Sequence, residues 1–164
     1  MSTTDRVDVQ HAFSLITRFL GQTCRLDEIV AFVGQCRGKR VVILEQALPI
    51  KDTGYCFAFQ DVDLIVVRQG LDRARYVVAC LHECAHFFLR HVPRVSAGRA
   101  TTTFAEFLSS GELRHAIYRS QTTMYAAQQE EDAETLATLL FGCVEPGMRQ
   151  QQMPRLAQEL YGEE

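Results

Sequence analysis

The sequence predicts an α+β domain, and three observations carry that expectation. Apolar residues recur at helical spacing across residues 9–37, three short β-branched or aromatic runs lie between residues 41 and 67, and two long stretches free of Gly and Pro follow residue 72. In the first helix Val9, Ala12, Phe13, Ile16, Phe19 and Leu20 form the apolar stripe, and Gly21 is the stop. A shorter helix is expected from about Asp27 to Cys36, with Ile29, Val30 and Val33 turned inward and Gly38 just past its end. Val41–Leu44, Tyr55–Phe59 and Leu64–Val67 read as strands, separated by the turn formers Pro49, Asp52, Gly54, Asp61 and Asp63. The last two are close enough to form a hairpin, so a small antiparallel sheet is expected. Asp72 is a plausible N-cap for a central helix running to His91, and Pro93 ends it.

Downstream, residues 92–119 read as an insertion whose only regular element is a helical turn or two at Phe104–Leu108. A strong helix is expected from about Ser120 to Phe141, and a weaker C-terminal tail, residues 147–161, surrounds Leu156 and Leu160. The whole of residues 1–164 then makes one domain with its core at about 40–142 and its N-terminal helices at 9–37.

Composition narrows the class. Hydrophobic residues at 47% and charged residues at 23% are globular values, which excludes a disordered or low-complexity chain. The apolar runs Leu64–Val67 and Tyr76–Leu81 are far shorter than the roughly 20 residues a bilayer requires. A net charge of -3 gives no general attraction to nucleic acid or anionic lipid, and the one dense basic run, Arg37-Gly38-Lys39-Arg40, reads as a solvated turn. Met1 to Arg6 carry no secretion signal, so a cytoplasmic location is expected. The six cysteines include no C-x-x-C pair and are expected to be reduced thiols in apolar surroundings.

The chemistry is concentrated at His82-Glu83-Cys84-Ala85-His86, an H-E-x-x-H motif inside the central helix. Residues four apart stack on one helix face, so both imidazoles can reach one Zn²⁺, while Glu83 projects about 100° away. That offset leaves a carboxylate beside the metal and a coordination position open, which is the arrangement of hydrolytic zinc sites. Chance would give this motif roughly once in a hundred chains of this His and Glu content. A third ligand is expected from the later helix, where Glu130, Ala133, Glu134 and Ala137 share a face and the small alanines allow close approach. Glu130 is read as the ligand and Glu134 as a hydrogen-bond acceptor for a ligating imidazole. Glu131 and Asp132 are read as a solvated face, and His11 and His91 as non-ligands. For stabilising an oxyanion, His115, Tyr118 and Tyr125 are the candidates.

Together the strands, the H-E-x-x-H helix and the later run from Glu130 to Leu140 resemble the ImmA/IrrE metallopeptidases over residues 40 to 142. That family pairs the first motif with a helix reading E-x-x-A-N/D-x-F-A-x-x-L-L. Here Glu134 stands for the usual Asn or Asp, Leu136 for Phe, and Ala85 for a common Gly; Phe141-Gly142-Cys143 replaces a Met-Pro. The resemblance implies a zinc metallopeptidase with Glu83 as general base and, as partner, a helix-turn-helix repressor, with no direct binding of nucleic acid. The alternative expectation is a zinc-bearing interaction module that sequesters or remodels a repressor without cutting it.

Overall fold

The computed structural model of the chain describes residues 7–49, 51–91, 103–111 and 125–145. Helix α1, Val9–Leu20, is capped by Asp8, whose carboxylate accepts from the Gln10 N–H at 2.9 Å. Helix α2, Leu26–Arg37, is fastened by the Glu28 carboxylate, which accepts from the Arg25 N–H at 2.7 Å, and it ends where Gly38 turns left-handed at φ 65°.

Three strands follow: β1, Arg40–Gln46; β2, Gly54–Ala58; and β3, Val62–Arg68. The expected β2–β3 hairpin is present, but the sheet is mixed rather than antiparallel, in the order β1-β3-β2, with β1 parallel to β3. The cause lies in β3, which is buried on both faces from Val62 to Val67 and therefore takes the centre, where both of its edges are paired. The link from β1 to β2 then has to cross the end of β3. The Arg68 side chain donates to the carbonyls of Pro49 and Asp52 in that link, and the Arg68 N–H donates to Thr53 O at 2.9 Å. A chain that leaves β1, crosses one end of β3 and returns down β2 makes β1 antiparallel to β2, hence parallel to β3.

Helix α3, Arg73–Phe88, is the hub of the fold, packed against β2, β3, α2 and the later helix Ala127–Cys143. Asp72 caps it by accepting from the Arg75 N–H at 2.9 Å, as the sequence suggests. Its other end comes earlier than expected, at Phe88, because Arg90 adopts φ 56° and folds the chain back. Helix α4, Phe104–Ser109, fills the one described part of the 92–119 region, and it sets Phe107 on the buried Phe59 with ring centroids 4.8 Å apart.

Helix α5, Ala127–Cys143, begins later than the expected Ser120 because Ala126 is extended and its N–H is taken by Gln129 Oε1 at 3.0 Å. Ala133, Leu136, Ala137 and Leu140 form its buried face. Truncating either leucine to Ala would cost about 2–5 kcal/mol. The far end of α5 is tied to the α1–α2 link: the Cys24 N–H donates to Cys143 O at 2.9 Å and the Glu145 N–H to Cys24 O at 3.1 Å. The expected tail at 147–161 lies outside the described residues, and among those described no helix is long and apolar enough to cross a membrane.

Candidate metal centre

The capped register of α3 places His82 and His86 one turn apart, with their Nε2 atoms separated by 3.2 Å. From the facing helix Glu130 brings Oε2 to 3.1 Å from His82 Nε2 and Oε1 to 3.7 Å from His86 Nε2. Ligands at about 2.1 Å from a tetrahedral ion stand about 3.4 Å from one another, so these separations fit the edges of such a site. The group His82, His86 and Glu130 can hold a metal ion. Two imidazoles and one carboxylate suit zinc and its transition-metal neighbours better than the oxygen-seeking Mg²⁺ or Ca²⁺. Ala133, fully buried one turn beyond Glu130, lets α5 approach α3 closely enough for this contact.

The three ligand candidates are not equally sheltered. His86 is almost wholly buried, whereas the side chains of His82 and Glu130 are 25% and 42% exposed, so the site opens on their side. Burial alone would lower the His82 pKa, but the hydrogen bond to Glu130 and the charges of Glu83 and Glu130 outweigh it and raise it above the usual histidine value. Glu130 responds in the opposite sense, its carboxyl held well below the ordinary range by the hydrogen bond to His82 and the nearby His86 imidazole. Both shifts come from the same contact, so a metal that takes the Nε2 lone pair of His82 competes with a proton there.

Glu83 points inward, 4% exposed. Burial pushes its pKa up, against the lowering pull of His82, His86 and the Cys56 thiol. The pocket around it is built by β2. At Gly54 a Cβ would lie 3.2 Å from Glu83 Oε1 and 3.0 Å from the Val66 carbonyl, so the missing side chain is the room Glu83 occupies. Two residues on, the buried Cys56 thiol is hydrogen-bonded to Glu83, and its sulfur lies 2.8 Å from the Tyr125 hydroxyl. Either the Tyr125 hydroxyl or the Cys56 thiol can donate in that contact.

Tyr125 also stacks on the His86 ring, with centroids 3.8 Å apart and planes 10° from parallel. Its hydroxyl is therefore engaged with Cys56 beneath the metal helix. His115 and Tyr118, the other two residues considered for an oxyanion, lie outside the described residues. Glu134 is exposed, and its charge reaches His82 through space without a hydrogen bond to either imidazole. Glu131 is exposed, and Asp132 accepts from Gln128 Nε2 at 2.9 Å. The residue that does meet a ligating ring is His91, whose Nδ1 stands 2.9 Å from His86 Nδ1. Helical spacing hid it, because it lies beyond the helix end. Gly54 and Cys56 were equally hidden: a strand's neighbours across a helix leave no local signal, and only a Gly opening an aromatic run hinted at a close approach.

The chain matches no family model, no curated protein and no solved structure. Function has to be read from the site itself.

Proposed function

We propose that this protein is a zinc-dependent metallopeptidase of the H-E-x-x-H type, in which His82, His86 and Glu130 hold the metal and Glu83 is the general base. The observation that carries the reading is the pairing of a three-ligand group with a second carboxylate that is adjacent, buried and outside the ligand set. A purely structural site has no use for such a group. Zinc, when bound, supplies a Lewis acid that polarises a carbonyl and acidifies water. The chain supplies the rest: Glu83, its pKa raised by burial, takes a proton from the attacking water and delivers it to the leaving amine. Tyr125 and Cys56 hold this machinery from below, through the His86 ring and the Glu83 carboxylate.

The resemblance to the ImmA/IrrE family supports a cytoplasmic enzyme whose substrate is a regulatory protein, in particular a helix-turn-helix repressor. The net charge of -3 supports a chain that meets DNA only through that partner. A Glu83→Gln variant, keeping shape and losing the base, should trap the substrate for identification by mass spectrometry, and wild-type protein should then cut it. A repressor that is bound stably and never cut would replace the peptidase with the sequestering module.

A further inference from the structure

We propose that His91 is the positioning residue of the metal centre, accepting a hydrogen bond from His86 Nδ1–H and so presenting the bare Nε2 of His86 to the metal. The inference rests on the metal-site reading above and adds to it a residue that lies outside the H-E-x-x-H motif.

The backbone shows how His91 gets there. The His91 N–H donates to the His86 carbonyl at 3.0 Å and the Arg90 N–H to the Phe87 carbonyl at 3.1 Å, with Arg90 left-handed between them at φ 56°. This pair of bonds is a Schellman motif, which folds the second residue past a helix end onto the last turn. Ordinarily two apolar side chains meet there. Here they are two imidazoles, and the positive φ is taken by an arginine rather than the glycine that adopts it without strain. The turn is therefore held by what surrounds it, with the ring of Tyr125 stacked on His86 and standing 6.0 Å from that of His91.

The proton positions follow from the 2.9 Å between the two Nδ1 atoms. Two N–H groups cannot face one another at that distance, and neither can two lone pairs, so one nitrogen donates and the other accepts. His86 Nε2 faces His82 and Glu130, where a metal ligand must offer its lone pair, which leaves Nδ1 as the nitrogen that carries the N–H. His86 is accordingly the donor and His91 the acceptor. A ligating imidazole ordinarily gives its second N–H to a carboxylate, a carbonyl or water. A neutral imidazole in that role orients the ligand without adding charge to a centre already flanked by Glu83 and Glu130.

The test uses the full chain and zinc alone. Titration against a competing chelator should show His91→Ala binding zinc about 10- to 100-fold more weakly than wild type. His91→Asn, whose side-chain oxygen can take the place of the accepting nitrogen, should recover most of that loss. Nitrogen-15 NMR of the wild-type histidines should find His86 protonated at Nδ1 and His91 bare at Nδ1, a readout that stands even if a variant fails to fold. Wild-type zinc affinity in His91→Ala, a proton on His86 Nε2, or an affinity loss that follows Glu134→Ala instead would overturn the assignment. Absence of peptide cleavage would sink the peptidase and leave these readouts intact, so the two failures are distinguishable.

Discussion

Asp63 and Glu83 are both buried carboxylates, and the protein treats them in opposite ways. Asp63 is wholly enclosed at the start of β3, where Arg37 at the end of α2 grips it with Nε at 2.6 Å and Nη2 at 3.2 Å and Lys39 Nζ stands at 3.7 Å. Arg37 in turn lies over the Phe87 ring, 4.9 Å from its centroid, so one cation joins α2, β3 and α3. Among the described residues Glu83 has no such cation. Its neighbours are the titratable imidazoles of His82 and His86, the Cys56 thiol and the like charge of Glu130. A permanent ion pair fixes a charge state and locks a structure, whereas a carboxyl among groups that can themselves gain or lose protons is left free to change its own. The contrast separates a strut from a reagent.

Amide substitution should split the pair most widely in activity. Glu83→Gln should lower peptide cleavage by at least about two orders of magnitude, the scale of a lost general base, while zinc per chain stays as in wild type. Asp63→Asn should leave the rate per folded molecule unchanged, since Asp63 touches none of the metal ligands. Equal losses in both variants would erase the distinction.

Stability should split them the other way. Arg37→Ala leaves the buried Asp63 with Lys39 as its one cation among the described residues, and should cost about 3 kcal/mol in chemical denaturation, the low end for a broken buried pair because Lys39 remains. Among the described residues Glu83 has no comparable partner to remove.

Much of the metal centre was legible because its geometry is local. His82, Glu83 and His86 sit within one turn, and the choice of Glu130 among four neighbouring carboxylates needed only the 100° step and the small Ala133 behind it. What escaped is held by contacts between elements. The parallel pairing of β1 with β3 depends on which strand takes the centre, and turn residues are silent on that, although the unbroken run Leu64–Val67 carried the clue that β3 is covered on both faces. His91 depends on a left-handed Arg90, which no propensity announces. Cys56 and Tyr125 meet across 69 residues of sequence.

A smaller effect follows from burial of Glu83. The Glu83 pKa is raised in the fold above its unfolded value, so the stability it contributes is present below the unfolded pKa and is lost as pH rises through the folded one. Gln does not titrate. Metal-free Glu83→Gln should therefore be more stable than metal-free wild type at about pH 8, by about 1 kcal/mol, with the gap closing toward about pH 4. Loss of the Glu83 charge also removes its upward pull on the His82 pKa, which narrows the gap. Asp63→Asn, which strands Arg37, should instead be less stable than wild type at about pH 8.

The smallest expected effect tests whether the seat of Glu83, and not only its carboxyl, is built for the reaction. Gly54 opens β2 opposite Val67 of the central strand, and a Cβ there would meet the Val66 carbonyl at 3.0 Å, Glu83 Oε1 at 3.2 Å and Glu83 Cγ at 3.3 Å. The carbonyl belongs to β3, paired on both sides, so it has little room to give; the carboxylate side chain is the softer neighbour and should move by a few tenths of an ångström. Misplacement by about 1 Å can cost about a hundredfold in rate, so this smaller shift should lower cleavage by roughly tenfold. The strain should also remove about 1 kcal/mol of stability. Zinc affinity should hold, because His82, His86 and Glu130 do not touch β2 at this point. A Gly54→Ala enzyme with the wild-type rate would mean that Glu83 needs no such seat, and a loss of zinc in step with activity would mean that β2 supports the metal ligands rather than the base.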